Sequence, residues 1–176
     1  MHRQARQQRN LSIVPDLLGE CYLRWEAAPY RGETVIRSVL EKGGGVEIPI
    51  ISVVDDDASQ RTATARLLRS MGFAAYAFAS AREFLLSPQL SDTSCLIADV
   101  EMPGMNGVKL QEQLIAQGNT TPMIFITAFP EDRIREQVMR AGAIGFLTKP
   151  FDETQLLECV ERALTRRRDQ EGPGDT

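Results

Sequence analysis

From Pro49 onward, short apolar runs alternate with segments in which apolar residues recur at helical spacing. This alternation is typical of a parallel sheet whose strands are joined by crossover helices. The predicted elements, in chain order, are IISVV (50–54), ASQRTATARLLRSMG (58–72), FAAYAF (73–78), SAREFLL (80–86), CLIAD (95–99), VKLQEQLIAQG (108–118), MIFIT (123–127), EDRIREQVMRAG (131–142), IGFL (144–147) and FDETQLLECVERALTRRR (151–168). The strands are continuous apolar runs, as expected where helices cover both faces of a sheet. We therefore expect an α/β fold with a doubly wound, five-stranded parallel sheet and five helices.

Polar and charged side chains stand where these predicted strands end. Asp55 to Asp57 follow the first strand, and Asp99 ends the third. Thr127 ends the fourth strand, and Lys149 follows the fifth within two residues. In a doubly wound sheet the functional site lies outside the carboxyl ends of the strands. We therefore expect these side chains to meet at one edge of the sheet.

Carboxylates at neighbouring strand ends repel one another unless a cation lies between them. Asp55, Asp56 and Asp99 supply hard oxygen ligands of the kind that suit Mg²⁺. Lys149 adds an ammonium group and Thr127 a hydroxyl donor. A carboxylate nucleophile, a divalent metal, an ammonium and a hydroxyl together indicate a phosphoryl-transfer site.

The composition of the chain argues against several other kinds of site and against a membrane protein. The 176 residues are 43% hydrophobic and 25% charged, which is normal for a globular protein. The single histidine, His2, lies near the N-terminus, so the body of the chain cannot form a Ser-His or Cys-His nucleophile pair. Cys21, Cys95 and Cys159 are too widely spaced to indicate a zinc site or a disulfide framework. No apolar run reaches the roughly 18 residues of a membrane span, and we expect a cytoplasmic protein that does not contact membranes.

Charge is unevenly distributed along the chain. Residues 1–46 carry seven Lys/Arg and five Asp/Glu, whereas residues 47–176 carry thirteen and nineteen, which gives +2 and −6. Direct binding to nucleic acid is not expected, because it depends on basic residues that neutralise phosphates. The one basic cluster, Arg166 to Arg168, is predicted to be a solvated helix end.

Four motifs in fixed order resemble those of the receiver domains of bacterial two-component response regulators, especially receivers of the FixJ type. The motifs are VVDDD, LIADVEMPGMNG, FITAF and GFLTKPF. The resemblance covers roughly residues 48–165 and implies the CheY-like fold, with the flavodoxin-like strand order 2-1-3-4-5. It divides the chain into an N-terminal extension over 1–46, a receiver over 47–165 and a polar C-terminal tail over 166–176.

The resemblance also implies a phospho-acceptor and a metal site. Asp99 would accept a phosphoryl group from a phosphohistidine on a partner protein. Asp56 would bind Mg²⁺ directly and Asp55 through water, together with Asp99 and the backbone carbonyl of Glu101.

The remaining motif positions would respond to the phosphoryl group. Lys149 would pair with its oxygens, Thr127 would move to hydrogen-bond them, and Phe146 would turn inward when Thr127 moves. The Lys149-Pro150 bond resembles the cis peptide of the family. These roles belong to a signalling protein that catalyses its own phosphorylation and slow dephosphorylation and is otherwise not an enzyme.

The partners implied are a sensor histidine kinase, or a phosphotransfer protein, and a downstream protein. We expect residues of the first helix, such as Arg61, Ala65 and Leu68, to select the kinase. Only about a dozen polar residues, 166–176, follow the receiver, so it is expected to act without an output domain. It would act as a phosphate sink, or signal through its fourth helix, fifth strand and fifth helix, and it could form a phosphorylation-linked homodimer.

Two other classes of function stay open. A phosphohydrolase of the haloacid-dehalogenase type would use Asp55 and Asp57, but this leaves Asp99 and the Lys149-Pro150 pair unexplained. A pure interaction module would make no use of phosphate, and the complete acidic site argues against it. In the receiver interpretation, Asp57 is a helix-entry residue that points into water.

Residues 1–46 show no sustained apolar period. We expect irregular structure there, or a loosely attached helix around Asp16 to Trp25. A second hypothesis is that the segment precedes the true start of the protein. Glu41 to Gly45, EKGGG, could be encoded by a purine-rich ribosome-binding sequence, with Val46 as a GUG start.

Overall fold

Two strands near the N-terminus form an antiparallel pair that the sequence pattern did not predict. The computed structural model describes residues 11–15, 21–25 and 48–171. Strand β1 (Leu11–Pro15) pairs with β2 (Cys21–Trp25). The helix expected around Asp16 to Trp25 is therefore wrong over β2, and residues 16–20 lie outside the described residues. Both strands contain β-branched or aromatic residues, which favour extended backbone.

The five strands predicted from Pro49 onward form one parallel sheet. The strands are β3 (Ile50–Val54), β4 (Ala74–Phe78), β5 (Cys95–Asp99), β6 (Met123–Thr127) and β7 (Gly145–Thr148). They lie in the order β4-β3-β5-β6-β7, and every neighbouring pair is parallel. The predicted fold class and the predicted order 2-1-3-4-5 are confirmed.

Helices connect the strands of this sheet. They are α1 (Ala58–Ser70), α2 (Ala81–Leu85), α3 (Gln89–Asp92), α4 (Gly107–Ala116), α5 (Asp132–Arg140) and α6 (Glu153–Glu171). The short α3 lies in a segment predicted to be a connection, so residues 48–171 contain six helices instead of the expected five. Asp57, Ser80 and Asn106 cap α1, α2 and α4, since the side chain of each accepts hydrogen bonds from backbone N–H groups of the first turn.

The sheet is covered on both faces, and successive residues of β5 show this arrangement. Ile97 belongs to a buried cluster with residues of α1 and α6, whereas its neighbours Leu96 and Ala98 belong to a cluster with residues of α2, α4 and α5. All three side chains are fully buried. Because side chains alternate across a strand, the continuous apolar run fills two separate cores.

Helix α6 is longer than predicted and uses its arginines differently. It continues to Glu171, through much of the segment expected to be a polar tail. Arg166 Nη1 donates to the Gly142 carbonyl at 2.9 Å, and Arg167 Nη1 donates to the Thr93 carbonyl. These carbonyls belong to loops that precede β7 and β5. Arg166 is exposed, as predicted, whereas Arg167 is half-buried, so the prediction of a merely solvated cluster is wrong for Arg167. No helix within the described ranges combines the length and the apolar composition needed to cross a membrane.

Candidate functional site

The residues singled out by the sequence lie at one edge of the sheet. Asp55 follows β3, Asp99 ends β5, Thr127 ends β6 and Lys149 follows β7. Since these four strands are adjacent and parallel, their carboxyl ends meet at the same edge. The sheet therefore brings together residues that are far apart in the sequence.

A nearly buried ammonium group links two of the carboxylates. Lys149 Nζ donates to Asp55 Oδ2 at 2.9 Å and to Asp99 Oδ2 at 2.5 Å. The Asp55 side chain is inaccessible to solvent, and the side chains of Lys149 and Asp99 are 13% and 10% exposed. Because little water reaches them, each charge depends on the others for its stabilisation.

Burial and charge act in opposite directions on these groups. Burial raises the pKa of Asp55 above its ordinary value, and the opposing effect of the Lys149 ammonium does not overcome it. Burial also lowers the pKa of Lys149, but its hydrogen bonds to Asp99 and Asp55 outweigh this effect and leave the pKa above its ordinary value. Lys149 is therefore a positive charge at neutral pH.

Asp56 adds a third carboxylate, which faces solvent. One oxygen from each of Asp55, Asp56 and Asp99 lies within 4.8 Å of the others. Asp56 is exposed, whereas Asp55 and Asp99 are buried. Lys149 supplies a single positive charge to this group of three carboxylates, and a divalent cation would offset the charge that remains. Carboxylate oxygens on a partly open site fit Mg²⁺, which binds few protein ligands and keeps several waters.

The loop after β5 is tied to Asp99 by backbone contacts. The N–H of Glu101 donates to Asp99 Oδ1 at 2.9 Å and so orients the carboxylate. The N–H of Gly107 donates to the Val100 carbonyl at 3.1 Å and closes the loop. Gly104 adopts a φ of 77°, which L side chains rarely adopt. The metal contact predicted for the Glu101 carbonyl stays a prediction.

Thr127 and Phe146 lie on neighbouring strands. Thr127 is fully buried, and its Oγ1 accepts the N–H of Phe129 at 3.0 Å. Its hydroxyl proton is therefore available to another acceptor. Phe146 is partly buried against the core cluster formed with α4 and α5. The backbone N–H of Lys149 donates to the Thr127 carbonyl at 2.8 Å, which couples the end of β7 to the end of β6.

The turn after β7 has the geometry that the GFLTKPF motif predicts. The peptide bond between Lys149 and Pro150 is cis, which confirms that expectation.

A sequence model described as the response regulator receiver domain matches residues 51–161. The chain belongs to this family.

Similar proteins agree with this assignment. Nodulation protein W of Bradyrhizobium diazoefficiens is 41% identical over 119 residues, which are 68% of this chain and 52% of that protein. The solved structure of the response regulator StyR is 42% identical with a TM-score of 0.66, and the match covers 71% of this chain and 63% of that one. The structure of FixJ-N is 32% identical with a TM-score of 0.62, over 68% of this chain and 95% of that one.

The receiver spans about half the length of the curated relatives it matches. For this reason, action without an output domain stays a prediction. The extension over 1–46, the start at Val46 and the cytoplasmic location also stay predictions. The receiver assignment itself supports a phospho-acceptor role and a signalling function.

In this receiver Asp57 is a helix cap. Its Oδ1 accepts the N–H groups of Ser59 at 2.8 Å and Gln60 at 2.9 Å. These bonds hold the pKa of the exposed Asp57 carboxyl below its ordinary value. The prediction of a helix-entry residue in water is confirmed. The phosphohydrolase alternative is not favoured, because it needs Asp57 as a reacting group.

Two of the residues expected to select a kinase are part of the core. Ala65 is 1% exposed and Leu68 is fully buried, and both pack in the cluster beneath α1. They cannot contact a partner, and this prediction is wrong for both. The helical period of α1 is weak in the sequence, so the inward face could not be assigned from the pattern. Arg61 is half-buried and turns toward the site.

Gly107 is a site residue that the sequence did not single out. A Cβ atom on Gly107 would lie 2.3 Å from the Asp99 carbonyl oxygen and 3.2 Å from the ring of Phe125. We expect Gly107→Ala to lower the free energy of unfolding by about 3 kcal/mol, because the obstacle is backbone and overpacking is costly. Urea denaturation measures the change.

The sign of this change is informative. Without the clash, alanine in place of a helical glycine stabilises by about 1 kcal/mol. A matched control is Gly104→Ala, since a Cβ there meets nothing within 4 Å and only the positive φ opposes it. We expect a loss of about 1–2 kcal/mol for this control. A neutral or stabilising Gly107→Ala would show that α4 can move away from Asp99.

Proposed function

We propose that this receiver accepts a phosphoryl group on Asp99 from a histidine-phosphorylated partner, with Mg²⁺ bound beside it. The observation that carries the proposal is the pair of hydrogen bonds from Lys149 Nζ to Asp55 and Asp99. They hold the Asp99 carboxylate next to a cation and within 4.8 Å of two further carboxylates. A nucleophilic oxygen, a positive charge and a metal-binding oxygen set are the parts that phosphoryl transfer requires.

The transfer step uses Asp99 as the nucleophile. One of its carboxylate oxygens attacks the phosphorus, an O–P bond forms, and the bond from phosphorus to the donor breaks with its electrons leaving on the donor. With acetyl phosphate as donor, acetate leaves and no proton needs to move. Mg²⁺, held by Asp55, Asp56, Asp99 and the Glu101 carbonyl, would offset the negative charge of carboxylates and phosphoryl oxygens. Lys149 would turn from the carboxylates to the phosphoryl oxygens.

The same site would then change the shape of the receiver. The Thr127 hydroxyl proton, which is not needed by Phe129, would bond a phosphoryl oxygen. This draws Thr127 toward Asp99 and makes room for Phe146 to turn inward. Phosphorylation thus shifts the population between two packings of these residues. The surface that reports the change consists of α5, β7 and α6.

The proposed partners follow from these steps. A sensor histidine kinase or a phosphotransfer protein supplies the phosphoryl group, and a downstream protein or a second copy of the receiver binds the α5-β7-α6 surface. The receiver would also catalyse the slow hydrolysis of its own phosphoryl group. No direct contact with nucleic acid is proposed.

Intact mass spectrometry tests the proposal. We expect acetyl phosphate with Mg²⁺ to add one phosphoryl group to each chain, and a chelator in excess of the metal to prevent the addition. No adduct at any Mg²⁺ concentration would favour the pure interaction module. Continuous turnover of p-nitrophenyl phosphate, in place of a single self-limited modification, would favour the phosphohydrolase.

A further inference from the structure

We propose that Arg61 is a positioning residue that holds the acidic loop, Asp55 to Asp57, in the conformation that binds a divalent cation. The inference rests on the proposed function, since the loop supplies two of the proposed metal ligands. It gives Arg61 a role inside the site in place of the role in kinase selection that the sequence suggested.

The contacts of Arg61 are to the backbone of the loop. Its Nη1 donates to the Asp55 carbonyl at 2.6 Å and to the Asp56 carbonyl at 3.2 Å. The guanidinium therefore bridges two consecutive peptide groups whose side chains face the site. Hydrogen bonds from a charged donor are stronger than those from a neutral donor. The bond to the Asp55 carbonyl is also partly sheltered from water.

Arg61 connects the loop to a rigid part of the fold. It lies in the first turns of α1, a helix anchored in the core by Ala65 and Leu68. Other bonds hold the two neighbours of Asp56. Asp55 is bonded by the N–H of Asp57 at 2.9 Å, by Lys149 Nζ at 2.9 Å and, through its own N–H, to the Phe78 carbonyl at 3.2 Å. Asp57 caps α1 through Ser59 and Gln60, and none of these bonds is made to Asp56. Arg61 is thus the side chain through which α1 holds Asp56, whose carboxylate is exposed.

Charge and position have opposite consequences for cation binding. A guanidinium near three carboxylates repels an incoming cation, so loss of its charge alone should strengthen binding. Loss of its two hydrogen bonds frees the loop, which should weaken binding because the ligands are no longer held in place. The direction of the change therefore separates a positioning role from a purely electrostatic one.

The test is a titration of Mg²⁺ into the wild type and Arg61→Gln, followed by the ¹H–¹⁵N NMR spectrum. Glutamine removes the charge and cannot bridge both carbonyls. We expect the dissociation constant to rise about tenfold, the lower end of the effect of losing a residue that orients metal ligands. An unchanged or lower constant would overturn the proposal.

Two arginines of the same helix serve as controls. Arg69 donates to the Ala75 carbonyl at 2.5 Å, so Arg69→Gln removes the same kind of bond at the opposite end of α1. Arg66 is exposed, and Arg66→Gln removes only its charge. We expect both variants to bind Mg²⁺ as the wild type does. A similar loss of affinity in Arg69→Gln would mean that any destabilised α1 weakens the site, and the proposal would fail.

Amide hydrogen exchange in metal-free protein tests the loop without any cation. We expect the Asp57 N–H, which bonds to Asp55 Oδ1, to exchange at least about tenfold faster in Arg61→Gln. Arg61→Lys keeps the charge and one donor group, so it should fall between the wild type and Arg61→Gln in both measurements. Unchanged exchange in Arg61→Gln would overturn the positioning role. If the wild type itself did not bind Mg²⁺, the proposed function would fail, while the exchange rates would still decide the role of Arg61.

Discussion

Asp99→Asn is expected to abolish phosphorylation by acetyl phosphate, with no adduct in the intact mass spectrum. Asparagine has nearly the same shape as aspartate, so β5 and its packing are retained. Its amide has no anionic oxygen to attack phosphorus and lacks the negative charge that pairs with Lys149. The loss should be complete on the time scale in which the wild type is fully modified.

The control for this experiment is Asp57→Asn. Asparagine is as good a helix cap as aspartate, so α1 should be unaffected. We expect Asp57→Asn to be phosphorylated like the wild type, because the Asp57 side chain caps α1 through Ser59 and Gln60, and its backbone N–H, which bonds Asp55, is retained. A persistent adduct in Asp99→Asn, or its loss in Asp57→Asn, would move the acceptor to another carboxylate and contradict the proposed mechanism.

Lys149→Met is expected to destabilise the metal-free protein by about 3–5 kcal/mol, because it leaves buried carboxylates without their cation. Methionine keeps the length and the apolar stem of lysine, so packing changes little. The Asp55 side chain is inaccessible to solvent and Asp99 nearly so, and Lys149 is bonded to both. Urea denaturation in a chelating buffer measures the effect.

Mg²⁺ should offset much of this loss. The ammonium bonds Asp55 Oδ2 and Asp99 Oδ2, so its removal frees both oxygens for a cation, and ligands that bind only the folded state stabilise it. Saturating Mg²⁺ should therefore stabilise Lys149→Met more than the wild type. Lys109→Met is the control, because Lys109 is exposed on α4, and a change within about 0.5 kcal/mol is expected. Equal stabilisation of Lys149→Met and the wild type by Mg²⁺ would contradict a shared site for the cation and Lys149.

The N-terminal segment shows where sequence patterns were weakest. β1 and β2 have five residues each and pair with each other. A run of five residues gives few repeats of an apolar and polar alternation, so no sustained period marked either strand. The helix predicted around Asp16 to Trp25 had no stronger support, and Cys21–Trp25 is a strand.

The arginines illustrate a different limit. Arg61, Arg166 and Arg167 are polar residues on helices, and the sequence pattern placed all three in contact with solvent or a partner. Each also donates to a backbone carbonyl of another segment or loop, and Arg61 and Arg167 are half-buried. A guanidinium can extend several ångströms from its helix, so its partner depends on which loop passes nearby. No local pattern carries that information.

The sequence by itself determined the α/β class, the strand order through its resemblance to receivers, and the edge at which Asp55, Asp99, Thr127 and Lys149 lie. The class and the edge follow from the alternation of apolar runs and from the rule that parallel strands end on one side, whereas the strand order came from the resemblance. Only the tertiary structure decided that Lys149 joins Asp55 to Asp99, that a Cβ on Gly107 would meet the Asp99 carbonyl, and that α1 buries Ala65 and Leu68 while Arg61 donates to carbonyls of the acidic loop. Those contacts join residues distant in the chain or depend on how a helix is rotated against the sheet. Their physical causes are close packing and the pairing of buried charges, which act between segments that no local pattern relates.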